Sequence, residues 1–445
     1  MPMRNIAWIL VIIVIGLLTW QLPPTVARRD TVYRTFGPLV DVRAQIQRRY
    51  VEEVDDQTLL RGAIEGMLWK LDPFSQYIGP DEYADFQERT DGELHGVGIE
   101  IGVTNGQLTV ISPIDDTPAF RAGVLPGDVI VEIDGQSTER LNVPEAAMRI
   151  KGKPGTKVTL TLRRARTGKI EKVTITRQVI NLPSVKGWAR RSDGSWDYMI
   201  DGQQKIGYIR IANFTPNTAG QLDQAVKQLR EEGMRALILD LRFNPGGLLK
   251  NAVDVADRFL REGVIVETRG RWQRSERYVA KPDGTYPRFP LAVLVNGFSA
   301  SAAEIVAGAL RDHNRAIVIG ERTFGKGSVQ NVIELPEQDA AIKLTTAYYY
   351  LPNGELIHRT AAARKSGKWG VEPLIEIKLS DQEIHQILES RRESNVLRVE
   401  SASGQQTGEA FEPVAPVLDR QLQQALIQMR VKLYEMHLAA RKPAA

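Results

Sequence analysis

The chain has no cysteine, only five histidines and almost no excess of charge over its 445 residues. The missing thiols exclude cysteine nucleophiles, disulfides and thiolate metal sites, but they do not fix the compartment, because many exported proteins lack disulfides. The 58 basic and 54 acidic residues leave a net charge of +4, which is too small to suggest a nucleic-acid partner. The length predicts about two to four domains.

The N-terminus contains the longest uncharged stretch. No charged residue occurs between Arg4 and Arg28, and Ile6 to Leu22 is almost continuously apolar. That length is short but sufficient for a membrane-spanning helix. We expect residues 1–29 to be an uncleaved membrane anchor or a signal segment, and cleavage after Ala27 stays open. The flanking arginines do not fix the orientation.

Three regions are predicted around a central one. Residues 30–91 contain two stretches with helical periodicity, Arg34–Tyr50 and Leu59–Leu71. Residues 92–180 alternate apolar and polar positions between Gly-containing turns, which predicts short strands with one helix near Val143–Ile150. Residues 381–445 form a C-terminal helical region with apolar residues at helical spacing. These residues pack either into the core or against a second subunit: Leu418, Leu422, Leu426, Met429, Leu433 and Met436.

Residues 181–380 alternate strands with helices. The pattern predicts an α/β domain with βαβ units on a largely parallel sheet, and such sheets bind ligands beyond the carboxyl ends of their strands. The strands are predicted at Ile206–Ile211, Ala236–Asp240, Leu291–Val295 and Ala316–Ile319. The loops that follow the last three therefore belong to one candidate site.

Ser301 stands where a buried strand has turned and a helix begins. The first amides of a helix have no internal partner, so we expect the N–H of Ala302 to donate to an oxyanion formed by attack of the serine hydroxyl. A second donor is expected from Gly246 or Gly247, because that turn lets bare backbone approach closely. These residues predict a serine nucleophile with an oxyanion hole.

A serine hydroxyl needs a base, and Lys326 is the candidate. None of the five histidines follows a strand-end turn of this kind, whereas Lys326 lies 25 residues after Ser301 between two glycines. For Lys326 to act as a base, burial must lower the pKa of its amine well below the ordinary value. Gln330 is expected to orient the neutral amine without adding a charge.

Each residue also has an ordinary explanation, as a helix cap, a solvated lysine, a polar strand residue or a turn. Their convergence on one end of one sheet favours the catalytic interpretation. The alternative is a phosphate-binding P-loop, which Gly320 to Lys326 nearly spells. Gly327 stands where that motif needs Ser or Thr, and Ser328–Ile333 is strand-like rather than helical, so nucleotide binding is the weaker hypothesis.

At these residues the sequence resembles the C-terminal processing peptidases, also called carboxyl-terminal or tail-specific proteases. The resemblance covers roughly residues 30–380. Two departures, Phe298 for a frequent glycine and Ala303 for a frequent serine, remove no proposed reacting group. The motifs, in fixed order, are LDPFSQY (71–77), DLRFNPGG (240–247), FSASAAEI (298–305), GERTFGKGSVQ (320–330) and YYLPNG (349–354).

The resemblance implies a serine endopeptidase with a crotonase-like α/β core over residues 181–380. The catalytic group it implies is Ser301, Lys326 and Gln330, with an oxyanion hole of Ala302, Gly246 and Gly247. Residues 92–180 resemble a PDZ domain, in which backbone amides hold a peptide's terminal carboxylate. The residues in the place of its carboxylate-binding loop are Gly96, Val97, Gly98 and Ile99.

The resemblance also implies partners and location. Expected substrates are proteins with accessible C-terminal tails, with an adaptor protein and a second copy of the chain as further candidate partners, and with no metal, cofactor or nucleic acid. We expect the chain to be anchored in the cytoplasmic membrane of a bacterium, with its folded domains on the periplasmic or extracellular side, where it would process envelope proteins. The alternative function is a catalytically inactive, membrane-tethered PDZ scaffold, which would bind tail peptides without cleaving them.

Overall fold

The structure is a computed structural model that describes residues 25–80, 82–83, 86–87, 93–104, 106–114, 117–165, 167–181, 183–191, 195–272, 274–335, 340–395 and 418–441. The chain divides into two compact units, Met1–Tyr77 and Ile78–Ala445.

The first unit contains two helices, α1 (Thr25–Arg49) and α2 (Asp56–Trp69), which confirm the helical periodicity of the sequence. Asp55 caps α2 by accepting a hydrogen bond from the Thr58 N–H at 2.8 Å, as helix N-termini favour. Arg43 of α1 forms an ion pair with Asp56. A short strand, β1 (Gln76–Ile78), follows α2.

The predicted localisation needs correction. In the part of the chain that the structure describes, no helix is both long enough and apolar enough to cross a membrane. Helix α1 has the length, but its 25 residues include six arginines and two aspartates, which are costly inside a bilayer. The predicted anchor, Ile6 to Leu22, lies outside the described residues. The membrane-anchored localisation is therefore wrong for the described residues and is withdrawn.

The segment 93–181 is a small antiparallel β-structure. Strands β3, β4, β5, β7 and β8 form its sheet in that order, β6 pairs with β5, and β2 pairs with β9. Two helices accompany them, α3 (Pro118–Arg121) and α4 (Val143–Ile150), the latter at the predicted residues and closed by an Asn142–Glu145 capping box. The strands are β2 (Glu93–Gly96), β3 (Ile99–Thr104), β4 (Gln107–Pro113), β5 (Val129–Ile133), β6 (Gln136–Ser137), β7 (Lys157–Arg163), β8 (Ile170–Thr176) and β9 (Gln178–Asn181).

A second sheet forms the centre of the larger unit. Its strands run in the order β10–β14–β15–β18–β19–β22; the four pairs from β14 to β22 are parallel, whereas β10 and β13 pair antiparallel with β14. A separate two-stranded pair joins β11 and β12. The strands are β10 (Val185–Lys186), β11 (Ala189–Arg190), β12 (Trp196–Asp197), β13 (Met199–Asp201), β14 (Ile206–Ile211), β15 (Ala236–Asp240), β18 (Leu291–Val295), β19 (Ile317–Gly320) and β22 (Ile375–Glu376).

Helices cover both faces of this sheet. Its central strands β14, β15 and β18 are buried at every residue, and alternate residues of a strand point to opposite faces. Leu237 and Leu239 of β15 pack with the helices of one face, while Ala236 and Ile238 pack with the C-terminal helix on the other. The first face is covered by α5 (Thr218–Glu231), α6 (Leu249–Asp257) and α7 (Ala302–Asp312), and the second by α10 (Arg420–Arg441). Two further helices are α8 (Ala361–Ser366) and α9 (Asp381–Asn395).

An antiparallel sheet adjoins the site. Strand β21 pairs with both β16 and β20, and β16 also pairs with β17. Because Lys326 is followed at once by β20 and not by a helix, the structure contradicts the P-loop alternative. The strands are β16 (Val264–Gly270), β17 (Glu276–Val279), β20 (Ser328–Leu335) and β21 (Ala340–Tyr350).

Candidate active site

Three loops at the carboxyl ends of β15, β18 and β19 are joined by hydrogen bonds. The Ser299 hydroxyl donates to the carbonyl of Leu241 at 2.8 Å, and the Ala300 N–H donates to the carbonyl of Asn244 at 2.9 Å. The Phe324 N–H donates to the carbonyl of Ser299 at 3.0 Å. The loops that the sequence predicted to meet are therefore held together by their own backbones.

Ser301 lies at the junction of the β18 loop and helix α7. Its backbone has φ 55° and ψ −115°, a conformation that side chains other than glycine rarely adopt, and the residue is only 6% exposed. Such conformations cost on the order of 1–3 kcal/mol and persist only where the surroundings impose them. Here the N–H of Ser301 is fixed by a hydrogen bond to the Glu304 carboxylate at 2.8 Å.

Glu304 connects the Ser301 loop to the Lys326 loop. Its carboxylate is completely buried and accepts hydrogen bonds from four donors: the amides of Ser301, Gly325 and Lys326 and the hydroxyl of Thr323. Burial raises the pKa of Glu304, while these hydrogen bonds favour its ionised form. An ionised carboxylate has about four acceptor positions, so this arrangement uses its full capacity.

One oxygen of that carboxylate serves both proposed catalytic residues. The amides of Ser301 and Lys326 each donate to Glu304 Oε2 at 2.8 Å, so their nitrogen atoms lie no farther apart than twice that distance. Sequence analysis did not single out Glu304. Its signal was a charged residue inside the otherwise apolar segment AAEIVAGAL, a position where burial demands hydrogen-bond partners.

The surroundings of Lys326 favour a neutral amine. Burial and, to a lesser extent, the charge of Lys343 lower the pKa of Lys326, against an opposing effect of Glu304. The flanking glycines allow this burial: a Cβ atom on Gly327 would lie 2.5 Å from the backbone nitrogen of His358, and one on Gly325 would lie 2.7 Å from the Trp369 ring. A lysine with a lowered pKa is suited to accept a proton.

Gln330 lies on β20. Its amide nitrogen donates to the Ser328 hydroxyl at 2.7 Å and to the Thr345 hydroxyl at 3.4 Å. These contacts fix the amide against β20 and β21, and orientation of the lysine amine by Gln330 stays a prediction.

The predicted oxyanion donors have different surroundings. A Cβ atom on Gly246 would lie 2.8 Å from Ser301 Cβ and 3.1 Å from the nitrogen of Ala302, so this loop touches the serine directly. The Gly246 N–H already donates to Asn244 Oδ1 at 2.8 Å. Among the described residues, nothing accepts a hydrogen bond from the N–H of Gly247 or of Ala302.

Tyr349 is a further residue at the site that sequence analysis left unassigned. Its side chain lies near that of Ser301, and burial raises the pKa of its hydroxyl to about 12. Its N–H donates to the carbonyl of Gly327 at 2.7 Å, which ties β21 to the residue after Lys326. The signal was its position in the YYLPNG motif.

The predicted peptide-binding residues lie between β2 and β3, long before the loops of the candidate active site in the sequence. Gly98 has φ 78°, and a Cβ atom there would lie 2.3 Å from the Thr117 side chain, so the turn requires glycine. No acceptor for the N–H of Val97 or Gly98 exists in the part of the chain that the structure describes. Gly96 ends β2 and Ile99 begins β3, the edge strand of its sheet. An open edge and free amides are what a peptide carboxylate and an added strand require.

Comparison with protein families gives three matches along the chain. Residues 205–377 match the model of peptidase family S41, residues 109–164 match a PDZ domain, and residues 28–82 match the N-terminal domain of the activating protease CtpB.

Individual proteins are similar over most of the chain. A carboxy-terminal-processing protease of Bartonella bacilliformis is 42% identical over 75% of this chain and 75% of its own length. The carboxy-terminal processing protease CtpA of Bacillus subtilis is 35% identical over 78% of this chain and 70% of its own. A solved structure, the photosystem II D1 C-terminal processing protease, is 28% identical, covers 80% of this chain and 92% of its own, and has a TM-score of 0.43.

Proposed function

This chain belongs to the carboxy-terminal processing proteases, serine peptidases of family S41 with a PDZ domain, and from that premise we propose that Ser301 is its nucleophile and Lys326 its general base. The observation that supports this assignment is that one oxygen of the Glu304 carboxylate accepts hydrogen bonds from the backbone amides of both residues. The two backbones are thus held close together, as proton transfer between the Ser301 hydroxyl and the Lys326 amine requires.

The proposed reaction proceeds through an acyl-enzyme. The neutral Lys326 amine takes the proton from the Ser301 hydroxyl as that oxygen attacks the scissile carbonyl carbon. The resulting ammonium then gives its proton to the leaving amine, so the C–N bond breaks and an ester remains on Ser301. Water, deprotonated by the neutral lysine, hydrolyses that ester and restores the serine. Gln330 would orient the amine throughout.

The oxyanion formed in each half of the reaction needs donors. We assign Ala302 and Gly247 to this role, because their amides have no acceptor within the described part of the chain and Gly246 already donates to Asn244. Gly246 contributes in a different way, since only a residue without Cβ fits against Ser301. Each such donor accounts for about 2.7–4 kcal/mol of transition-state stabilisation in other serine proteases.

Substrate selection is proposed for the PDZ domain. The amides of Val97, Gly98 and Ile99 would hold the terminal carboxylate, just after Gly96 at the end of β2, and the tail would pair with β3 beside α4. The proposed domains are residues 30–91, 92–180, 181–380 and 381–445, and we propose a crotonase-like architecture for the third. An adaptor and a homodimer belong to the same proposal.

The test is cleavage of an unfolded protein that ends in an apolar tail. Ser301→Ala and Lys326→Ala should each abolish cleavage, while the same tail peptide still binds. Ser366→Ala and Lys365→Ala, which change exposed residues of α8, serve as matched controls and should cleave at the parental rate. Mass spectrometry should find an acyl group on Ser301 in the parent alone.

The alternative, an inactive PDZ scaffold, predicts peptide binding without cleavage. In that case the parent would bind the tail peptide but cleave it no faster than Ser301→Ala does. Equal cleavage by the parent, Ser301→Ala and Lys326→Ala would reject the proposed nucleophile and base.

A further inference from the structure

A cavity outside the proposed active site lies between the ends of β14 and β15 and the two C-terminal helices, α9 and α10. Its volume is about 40 Å³. We call it the arginine cavity, because three arginines line it together with Trp188 and Tyr208; these arginines are Arg210, Arg242 and Arg391.

Two of the three arginines are neutralised. Arg242 forms ion pairs with Asp240 and Asp419, each at 2.8 Å, and Arg391 forms one with Asp240 at 2.6 Å. The Tyr208 hydroxyl also donates to Asp240, at 2.7 Å. Asp240 accepts on both of its oxygens, and Asp419 Oδ1 accepts from Arg242 and from the N–H of Leu422, so neither carboxylate pairs with Arg210.

Arg210 is the exception. It is only 8% exposed, yet its guanidinium has no hydrogen-bond acceptor and no ion-pair partner among the residues that the structure describes. Because a guanidinium carries five N–H donors, such burial without an acceptor is unfavourable unless water or a ligand in the cavity supplies one. The cavity is where that acceptor would lie.

The charges around the cavity leave an excess of positive charge. Arg210, Arg242 and Arg391 contribute three positive charges, and Asp240 and Asp419 two negative ones. Burial and the neighbouring arginines lower the pKa of the nearby Lys186 to about 8, against an opposing effect of Glu100. Burial and the charge of Arg391 likewise lower the pKa of Arg210, to about 10. One negative charge would balance the cluster.

We propose that the arginine cavity binds a small oxyanion, of the carboxylate or phosphate class, with Arg210 as its principal donor. By the same measure one water needs about 10–15 Å³, so the cavity has room for about three water-sized groups, enough for the carboxylate group of acetate or for the oxygens that phosphate or sulfate turns toward the guanidinium. Guanidinium groups recognise carboxylate and phosphate oxygens with paired N–H donors, which suits both members of the class.

The site adjoins the loop that reaches the proposed active site. The carbonyl of Arg242 accepts a hydrogen bond from Arg391 at 3.0 Å, and the Arg391 guanidinium lies 5.0 Å from the centre of the Phe243 ring. Gly247, a proposed oxyanion donor, lies four residues after Phe243 in the same loop. An anion that neutralises the cavity would thus stabilise the start of this loop, and binding should raise the temperature of unfolding.

The test measures thermal unfolding of the full chain at constant ionic strength, with chloride replaced stepwise by phosphate, sulfate or acetate. We expect at least one oxyanion to raise the midpoint saturably, by about 2 °C or more. A response to phosphate and sulfate alone would identify a tetrahedral ligand, and a response to acetate a carboxylate. Arg210→Met should abolish the response and should unfold at a higher temperature than the parent in chloride.

Arg315→Met is the matched control. Arg315 is also largely buried and its pKa is likewise lowered by burial to about 10, but its guanidinium donates to the carbonyls of Phe259 and Phe289 and does not line the cavity. That variant should lose stability and keep the parental anion response. An equal response in Arg210→Met, or no saturable response of the parent to any of the three oxyanions, would overturn the proposal.

A second measurement covers the case in which Arg210→Met does not fold. Equilibrium dialysis of the parent and Arg210→Lys with labelled inorganic phosphate and labelled acetate measures binding directly. About one ion should bind per parent chain, and Arg210→Lys should bind more weakly because it loses the paired donors. Stoichiometric binding that is identical in Arg210→Lys, or no binding to the parent, would reject the site.

Discussion

At the scale of single residues, the arrangement depends on Glu304 as an acceptor. Each oxygen of its carboxylate accepts two hydrogen bonds. Ser301 and Lys326 donate to one oxygen, and Thr323 and Gly325 donate to the other. Every position around the carboxylate is thus occupied by an N–H or O–H that points at it. Any substitution that adds a donor leaves at least one of the three backbone amides without its acceptor.

Glu304→Gln tests this dependence. The glutamine amide nitrogen would face two donors whichever way it turned, so the Ser301 or Lys326 loop must shift, and a shift of about 1 Å can cost about 100-fold in rate. We expect kcat to fall by about that factor, with little change in KM for the tail substrate. Glu355→Gln, at an exposed residue, is the control. Parental kcat in Glu304→Gln would contradict the positioning role.

The pH dependence of cleavage tests the charge state of Lys326. Burial and the nearby charge of Lys343 lower the pKa of Lys326, and the base must be neutral, so activity should rise with pH as Lys326 loses its proton. Lys343→Met removes the repelling charge and should raise the pKa of Lys326. The acidic limb of the kcat/KM profile should therefore move to higher pH. Lys365→Met should leave it in place, and a limb unmoved in Lys343→Met would refute the coupling.

The limits of sequence reasoning are visible at these same residues. Ser301 and Lys326 follow strand ends, where periodicity and turn residues predict a site, and the family motifs cover them. Glu304, through its carboxylate, and Tyr349, through its N–H, form hydrogen bonds between segments distant in sequence, which no local pattern reveals. The choice between Gly246 and Gly247 depended on the Asn244 side chain, a contact that only coordinates provide.

At the scale of elements, the central strands and helix α4 matched their sequence predictions because apolar patterning and capping residues agree there. Helix α6 ends at Asp257. Phe259 and Leu260 beyond it are buried, so apolar residues continue past the helix and periodicity alone cannot mark its end. Four of the six apolar residues predicted at helical spacing in the C-terminal region, Leu422, Leu426, Met429 and Leu433, pack into the core, whereas Leu418 and Met436 are exposed.

Substitution of Met429 tests how much α10 contributes to the free energy of unfolding. The side chain is fully buried against the sheet face that includes Tyr208 and Leu294. Met429→Ala should lower the free energy of unfolding by about 2–5 kcal/mol, through lost burial and the cavity left behind. Ile427→Ala, on the same helix at 50% exposure, should cost less than about 1 kcal/mol. Urea unfolding measures both, and equal losses would show that α10 does not form part of the core.

At the scale of the whole molecule, the two ends of the PDZ segment, residues 93–181, lie next to each other. Strands β2 and β9, at its two ends, pair antiparallel from Glu93 with Asn181 to Gly96 with Gln178. A segment whose termini are adjacent closes on itself, which is the usual property of an inserted domain. Its buried residues also form a separate hydrophobic cluster, which includes Val110, Ile130 and Leu160. These features indicate that residues 93–181 hold their own fold.

The excised fragment 93–181 should therefore fold alone and unfold cooperatively. It should bind a peptide with a free C-terminal carboxylate and not the amidated peptide, because the amides of Val97 and Gly98 need an anion. Gly98→Asn and Gly168→Asn both place asparagine at positive φ, but only at residue 98 does a Cβ atom meet Thr117, at 2.3 Å. Gly98→Asn should abolish binding and Gly168→Asn should preserve it. Fluorescence anisotropy measures the affinity of the fragment for each peptide. Equal affinity for the amidated peptide would show that the terminal carboxylate is not recognised. An unfolded fragment would show that the PDZ fold depends on the protease core.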